Sequence, residues 1–171
     1  MDILLTHGYF LHEDPHERLV MKPYPPLGIL YLSSYLKTQG FDVAVFDSTF
    51  ASLEAFGAYV ARERPPVVGL YTNLMTKFNV LRMIAICKAY EAHVVLGGPE
   101  PPYYAAEYLA RGADVIVRGE GELTLAELLP HLAHHGLNEL DAVSGIIYRR
   151  DDGAVIETPP RPFIPDLSAY P

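Results

Sequence analysis

The stretch "HVVLGGPEPPYYAAEYLARGADVIVRGEG", residues 93–121, decides the fold. It opens on "HVVLG" (93–97), a short apolar run without alternation, the pattern of a strand buried on both faces. A second such run, "VIV" (115–117), follows. Between them Tyr104, Tyr108 and Leu109 recur at helical spacing, and Gly112 supplies a helix stop. Strand, helix and strand in so few residues form a crossover unit, because parallel neighbours need a right-handed connection between them.

The same alternation extends outward. "ILLT" (3–6), "VAVF" (43–46) and "VVGLY" (67–71) read as three more buried strands. A helix carrying Ile29, Leu32, Tyr35 and Leu36 inward ends at Gly40, and further helical patterns fall near 52–63, 75–91 and 122–135. The fold class is therefore α/β: a Rossmann-like (flavodoxin-like), doubly wound, five-stranded parallel sheet over residues 1–141. Residues 142–158 hold two short strand-like runs around Asp151, Asp152 and Gly153, which read as a small C-terminal β-hairpin appendage. Residues 159–171, "PPRPFIPDLSAYP", are dense in proline and aperiodic, as in a linker leaving a domain. The chain is expected to be a piece of a longer protein.

Composition narrows the partners. At 171 residues, 50% hydrophobic and 20% charged, the chain is long enough for one sizeable core. A net charge of -8, with 13 Lys and Arg scattered along it, argues against a nucleic-acid footprint. Cys87 is the sole cysteine, so the chain has no internal disulfide and no cysteine-built metal or iron-sulfur cage. No segment reaches 18 consecutive apolar residues and no basic leader precedes an apolar run, so a cytoplasmic protein without a membrane span is expected.

In an open parallel sheet, ligands bind outside the carboxyl ends of the strands. The informative text is thus "HGYFLHEDPHERLVMKPYPPLG" (7–28), "TNLMT" (72–76), "GGPEPP" (97–102) and "RGEGE" (118–122). The first, fourth and fifth strands are expected to be neighbours whose loops share one pocket. No G-x-G-x-x-G follows the first strand and no G-x-x-x-x-G-K-[ST] occurs, so neither phosphate cradle is present. Asp47 ends the second strand, whereas a phosphoacceptor domain needs an Asp ending the third, where Tyr71 and Thr72 stand. "HEDPH" (12–16) fits H-E-x-x-H by chance, since Pro15 disrupts the helical turn that must carry both His. No nucleophile with a base and no carboxylate pair emerges from the spacing, so the fragment alone is expected to be non-catalytic.

"KPYPPLGILYLSSYLKTQGFDVAVFD" (22–47), "VVGLYTN" (67–73), "VVLGGPEPPYYAAEYLARGADVIVRGEGE" (94–122) and "PRPFIPDLSAYP" (160–171) together resemble the N-terminal cobalamin-binding domain of radical S-adenosylmethionine enzymes. The relatives are those of the cobalamin-dependent radical methyltransferase-like group. The resemblance spans nearly the whole chain, in order and spacing. It implies a cobalamin whose corrin ring lies across the C-terminal edge of the sheet, with its nucleotide tail in a slot beside Gly97 and Gly98, where a Cβ would intrude. Pro99 and Glu100 complete that loop. Gly119, Glu120 and Gly121 shape the loop after the fifth strand, and Pro26, Leu27 and Gly28 begin the first helix. Thr72, Asn73 and Thr76 offer hydrogen bonds, while Leu74 and Met75, with Tyr71, line a flat apolar surface under the ring.

Cobalamin domains of the methionine synthase and mutase type place D-x-H-x-x-G after the first strand. Here "LLTHGYF" has His7 in a similar place, with Leu5 for the Asp and Phe10 for the Gly. No carboxylate two residues earlier orients the ring, which weakens His7 as the one candidate axial ligand to cobalt; the resemblance to the radical-enzyme relatives implies a base-off mode without a protein His. The resemblance also implies a barrel domain, outside this chain, holding a [4Fe-4S] cluster and S-adenosylmethionine. The full-length protein would then pass a methyl group to an unactivated carbon or phosphorus centre, or assist a related radical step.

Plainer readings stand beside these. Glycines after a strand are commonly turn residues, Glu120 and Glu122 suit a helix N-terminus, Tyr104 and Tyr108 suit a packing stripe, and His134 and His135 suit a solvated helix end. The alternative function is a degenerate domain that binds no cobalamin and packs on the barrel. A flavodoxin-like enzyme for an unrelated small ligand is a third.

Overall fold

The computed structural model describes residues 1–13, 15–23 and 25–162, excepting the side chains of His16 and Glu17. Strands β1 (Ile3–His7), β2 (Val43–Phe46), β3 (Val67–Tyr71), β4 (His93–Gly97) and β5 (Val115–Val117) coincide with the five apolar runs, β1 being longer by His7. They are all parallel. Helices α1 (Pro15–Val20), α2 (Leu27–Thr38), α3 (Leu53–Glu63), α4 (Lys77–Ala89), α5 (Ala105–Ala110) and α6 (Gly121–His135) fill the connections.

The runs are apolar throughout because both faces of the sheet are covered. Leu4, Val68, Leu70, Val94, Leu96 and Ile116 pack with Phe56, Val60, Met83, Ile84 and Tyr108 of α3, α4 and α5. Their neighbours Ile3, Leu5, Val67, Val95, Val115 and Val117 pack with Ile29, Leu36, Leu125, Leu128 and Leu132 of α2 and α6. Alternate side chains thus enter two separate cores.

Strand order corrects one expectation. The five parallel strands run β2-β1-β3-β4-β5, so β3 separates β1 from β4 and the first, fourth and fifth strands are not mutual neighbours. The chain winds one way from β1 to β2 and the other way from β3 to β5. The topological switch point therefore falls between β1 and β3, where His7 and Tyr71 are register partners.

The sheet has seven strands because the hairpin joins it. β6 (Ile146–Arg149) pairs antiparallel with β5, and β7 (Val155–Glu157) with β6. Ile146, Ile147 and Tyr148 are buried, so this hairpin is part of the core and covers an edge that β5 would otherwise expose. Pro159 and Arg161, expected in a linker, hold to the same body. The Pro159 carbonyl accepts from Gly145 N at 2.8 Å, and Arg161 Nε donates to Thr124 Oγ1 at 3.0 Å. Residues 163–171, the rest of that proline-rich segment, lie outside the described residues.

One local expectation holds and another changes. The loop after β1 contains a 3-10 turn (Leu11–Glu13) and then α1, which Pro15 begins, so His12 and His16 do not share a helix. Pro101 and Pro102 hold Pro101–Tyr104 in a 3-10 turn ahead of α5, so Tyr104 faces outward and only Tyr108 and Leu109 are buried. Among the described residues no helix is long and apolar enough to cross a membrane.

Candidate functional site

A cleft of about 750 Å³ opens at the β1/β3 switch point. His7, Gly8, Tyr9 and Phe10 form one wall, Tyr71, Asn73, Met75, Thr76 and Phe78 a second, and Pro25 to Ile29 the entry to α2. Its size suits a small-molecule or cofactor site. Of the sequence-predicted residues, Pro26, Leu27, Gly28, Asn73, Met75, Thr76 and His7 line it. Leu74 stands on the adjoining rim, and Thr72 is fully buried behind it. Gly97, Gly98, Pro99, Glu100, Gly119, Glu120 and Gly121 are not among its lining residues; they follow β4 and β5, farther along the same edge.

His7 is fixed at both ring nitrogens. Nε2 donates to Asp47 Oδ1 at 3.0 Å, and Nδ1 accepts from the backbone N–H of Tyr9 at 3.2 Å. Burial pushes the imidazole below its ordinary value, outweighing the opposing pull of Asp47. Asp47 lies below the usual carboxylate range: burial raises it, but hydrogen bonds from Thr49 and His7 prevail. The carboxylate missing two residues before His7 in sequence is thus supplied from the end of β2. A signal for it exists, since Asp47 ends the run that neighbours the first strand. Yet this carboxylate takes the distal nitrogen, and the other already has a donor. As placed, both ring nitrogens of His7 have partners within the protein.

The β3–α4 loop is a self-contained turn. Asn73 Oδ1 accepts from the N–H groups of Met75 and Thr76, both at 3.0 Å, and Thr76 Oγ1 bonds Asn73 in return. That turn leads into α4 and leaves the Asn73 Nδ2 donors for the cleft. It also turns large apolar side chains outward: Leu74 is 70%, Met75 83% and Phe78 77% exposed, with Tyr71 at 40%. Core packing therefore does not account for them. Phe78, Tyr9 and Asn79 were not anticipated from sequence, because Phe78 and Asn79 sit inside a helical pattern and Tyr9 in a long loop.

The adjacent glycines serve different ends. A Cβ on Gly97 would meet nothing within 4 Å, so the space beside it is open. Gly98 has φ +114°, and a Cβ there would stand 2.2 Å from the Thr72 carbonyl oxygen. Its lack of a side chain is demanded by the backbone of β3's end. Glu100 is turned inward: Lys77 Nζ donates to Oε1 at 3.1 Å and Tyr108 Oη to Oε2, while Lys77 also lies 4.3 Å from the Tyr104 ring centroid. Burial, then Glu100's hydrogen bond, pushes the Tyr108 hydroxyl well above its ordinary value and keeps it a donor. Glu120 occupies the N-cap of α6 without a side-chain bond to the helix end, and Glu122 lies in the first turn.

The family model for the B12 binding domain matches residues 20–129. The anaerobic magnesium-protoporphyrin IX monomethyl ester cyclase of Synechocystis sp. is 33% identical over 161 residues, 90% of this chain and 32% of that protein. The hopanoid C-3 methylase of Methylococcus capsulatus is 28% identical over 153 residues, 85% of this chain and 28% of that protein. Among solved structures, the cobalamin-dependent S-adenosylmethionine radical enzyme OxsB with aqua-cobalamin bound aligns with a TM-score of 0.80 at 22% identity, covering 94% of this chain and 22% of that one. At that identity the likeness is one of fold. The chain spans about a third of the length of the curated relatives it matches. A family match that takes in the start of α2, the β3–α4 loop and the glycine loops agrees with the resemblance carried by "PPLG", "GGPE" and "RGEGE": the chain belongs to the B12-binding domain family.

Proposed function

We propose that this chain holds a cobalamin across the C-terminal edge of the sheet, base-off and without a protein histidine on cobalt, within a longer S-adenosylmethionine radical enzyme. The observation that carries the reading is the outward shelf of Tyr71, Leu74, Met75 and Phe78 beside the cleft, four large apolar side chains gathered in eight residues with no packing role. The residues present fit the group. The shelf matches a broad apolar face, the Cβ-free space beside Gly97 admits a tail, and Asn73 Nδ2 offers donors to amide oxygens. Thr72 and Glu100 act from behind, holding the loops that carry these contacts.

When bound, cobalamin supplies a cobalt centre able to carry a methyl group. This chain's own residues bind and orient it: the β3–α4 turn presents the shelf, and the His7–Asp47 pair fixes the wall at Gly8 and Tyr9. The [4Fe-4S] cluster and S-adenosylmethionine belong, on this reading, to a barrel domain outside the chain, where methyl transfer or a related radical reaction takes place. A second reading, a domain that packs on that barrel without cofactor, draws on the internal satisfaction of Glu100, in the loop after β4, and Thr72, in the loop after β3.

Gel filtration with hydroxocobalamin and methylcobalamin, followed by visible absorbance, separates the two. Co-elution is expected with the parent chain and lost in Gly97→Trp, whose thermal midpoint should stay near the parent's. His7→Ala should leave the bound spectrum unchanged; a shift would put His7 on cobalt. If neither cobalamin co-elutes with this chain or with the full-length protein, the second reading holds.

A further inference from the structure

The last two turns of α6 carry His131, His134 and His135, which nothing in the cobalamin reading uses. We propose that His131 and His135 form a surface site for a divalent transition metal ion, Zn²⁺ being the representative. They lie four residues apart, which puts both on one face of the helix, the spacing by which helical His pairs take zinc. Their ring centroids are 5.0 Å apart with an interplanar angle of 35°.

One ring has an oxygen partner that orients it, and the other has a carboxylate nearby. His131 Nε2 lies 2.6 Å from the Asn138 carbonyl oxygen, which only accepts, so Nε2 carries the proton and Nδ1 keeps its lone pair. His135 Nδ1 lies 4.0 Å from Glu139 Oε2, beyond hydrogen-bond reach, so this carboxylate adds negative charge beside the ring pair. An oxygen on the second nitrogen is the usual support of a metal-bound imidazole. Both groups come from one turn: Asn138 Nδ2 bonds the His135 carbonyl at 2.9 Å, and Glu139 adopts φ +56°, folding the chain back beside the helix end.

The helix C-terminus, with its partial negative charge, adds to the attraction for a cation. His134 stands apart from the pair: its Nδ1 donates to the Pro130 carbonyl at 2.7 Å, and its ring centroid lies 6.4 Å from that of His135. Among the described residues no three His, Cys, Asp or Glu side chains stand together as a metal cluster. The site therefore has two protein ligands, with water in the remaining positions and Glu139 beside them. It lies at the opposite end of α6 from Gly121, a helix of about 22 Å, and so is separate from the cleft.

Equilibrium dialysis of the chain against Zn²⁺ tests this. One saturable equivalent is expected, weakened at least tenfold by His131→Asn and by His135→Asn and unchanged by His134→Asn. His134 and His135 are exposed and His131 is half-buried, and far-ultraviolet circular dichroism verifies that the variants fold. Absence of saturable binding overturns the proposal. So does binding that stays within twofold in either the His131 or the His135 variant.

Discussion

At the scale of single residues, Gly97 and Gly98 separate what the sequence joins. The dipeptide reads as one device for close approach, but only Gly98 is held by its own backbone. Gly98→Ala would force a Cβ into the left-handed region and against the Thr72 carbonyl, and is expected to cost at least about 2 kcal/mol in urea unfolding. Gly97→Ala should cost well under half of that; equal losses would refute the distinction. The reason was illegible because Thr72 lies 26 residues earlier and φ is not written in composition. His7 makes a second case. It is neutral in the folded state, where burial holds its value down, but takes a proton in the unfolded chain below about pH 6.5. Its contribution to stability is thus complete above that pH and falls as the pH drops from about 6.5 toward the lower folded value. Asp47, depressed in the fold, loses its contribution only below the ordinary carboxylate range, outside this window. Urea midpoints at pH 7.5 and 5.5 should therefore converge in His7→Gln. An unaltered pH slope in that variant would show that His7 is not the group responsible.

At the scale of elements, the strands were legible and their order was not. Five runs buried on both faces announce themselves in Val, Ile and Leu, whereas β3 lying between β1 and β4 depends on which helices share a face. The site moved with that order, from a pocket shared by the first, fourth and fifth strands to the β1/β3 switch point. The loop after β4 is then tied to α4 by one cluster, with Lys77 and Tyr108 both bonded to buried Glu100. Removing the cation leaves a carboxylate buried with a single donor. Lys77→Met is expected to cost about 3 kcal/mol by urea unfolding, since breaking a buried pair strands its charge. Glu100→Gln, which keeps an acceptor for Tyr108 and removes the charge, should cost less. The reverse order would mean that Lys77 serves only as a surface cation over the Tyr104 ring.

At the scale of the whole molecule, the question is where the folding unit ends. Read by composition, the parallel sheet stops near residue 141 and a hairpin hangs from it, because two short runs around Asp-Asp-Gly carry no mark of what they pair with. In the fold those runs complete the sheet. β6 covers the outer edge of β5, Ile146 and Tyr148 enter the core shared by α2 and α6, and Arg161 bonds both Thr124 on α6 and the Ser144 carbonyl. Burying Ile146, Ile147 and Tyr148 contributes about 1.5 to 3 kcal/mol each, a sum comparable with the whole stability of a domain this size. A chain ending at Asp141 would also expose β5, three residues of Val and Ile with an unpaired backbone edge. Truncation there is expected to abolish cooperative thermal unfolding and to yield aggregates on gel filtration. A truncated chain that melts cooperatively at the parent midpoint would restore the hairpin to the status of an appendage. It would also place the end of the cobalamin-holding unit before β6.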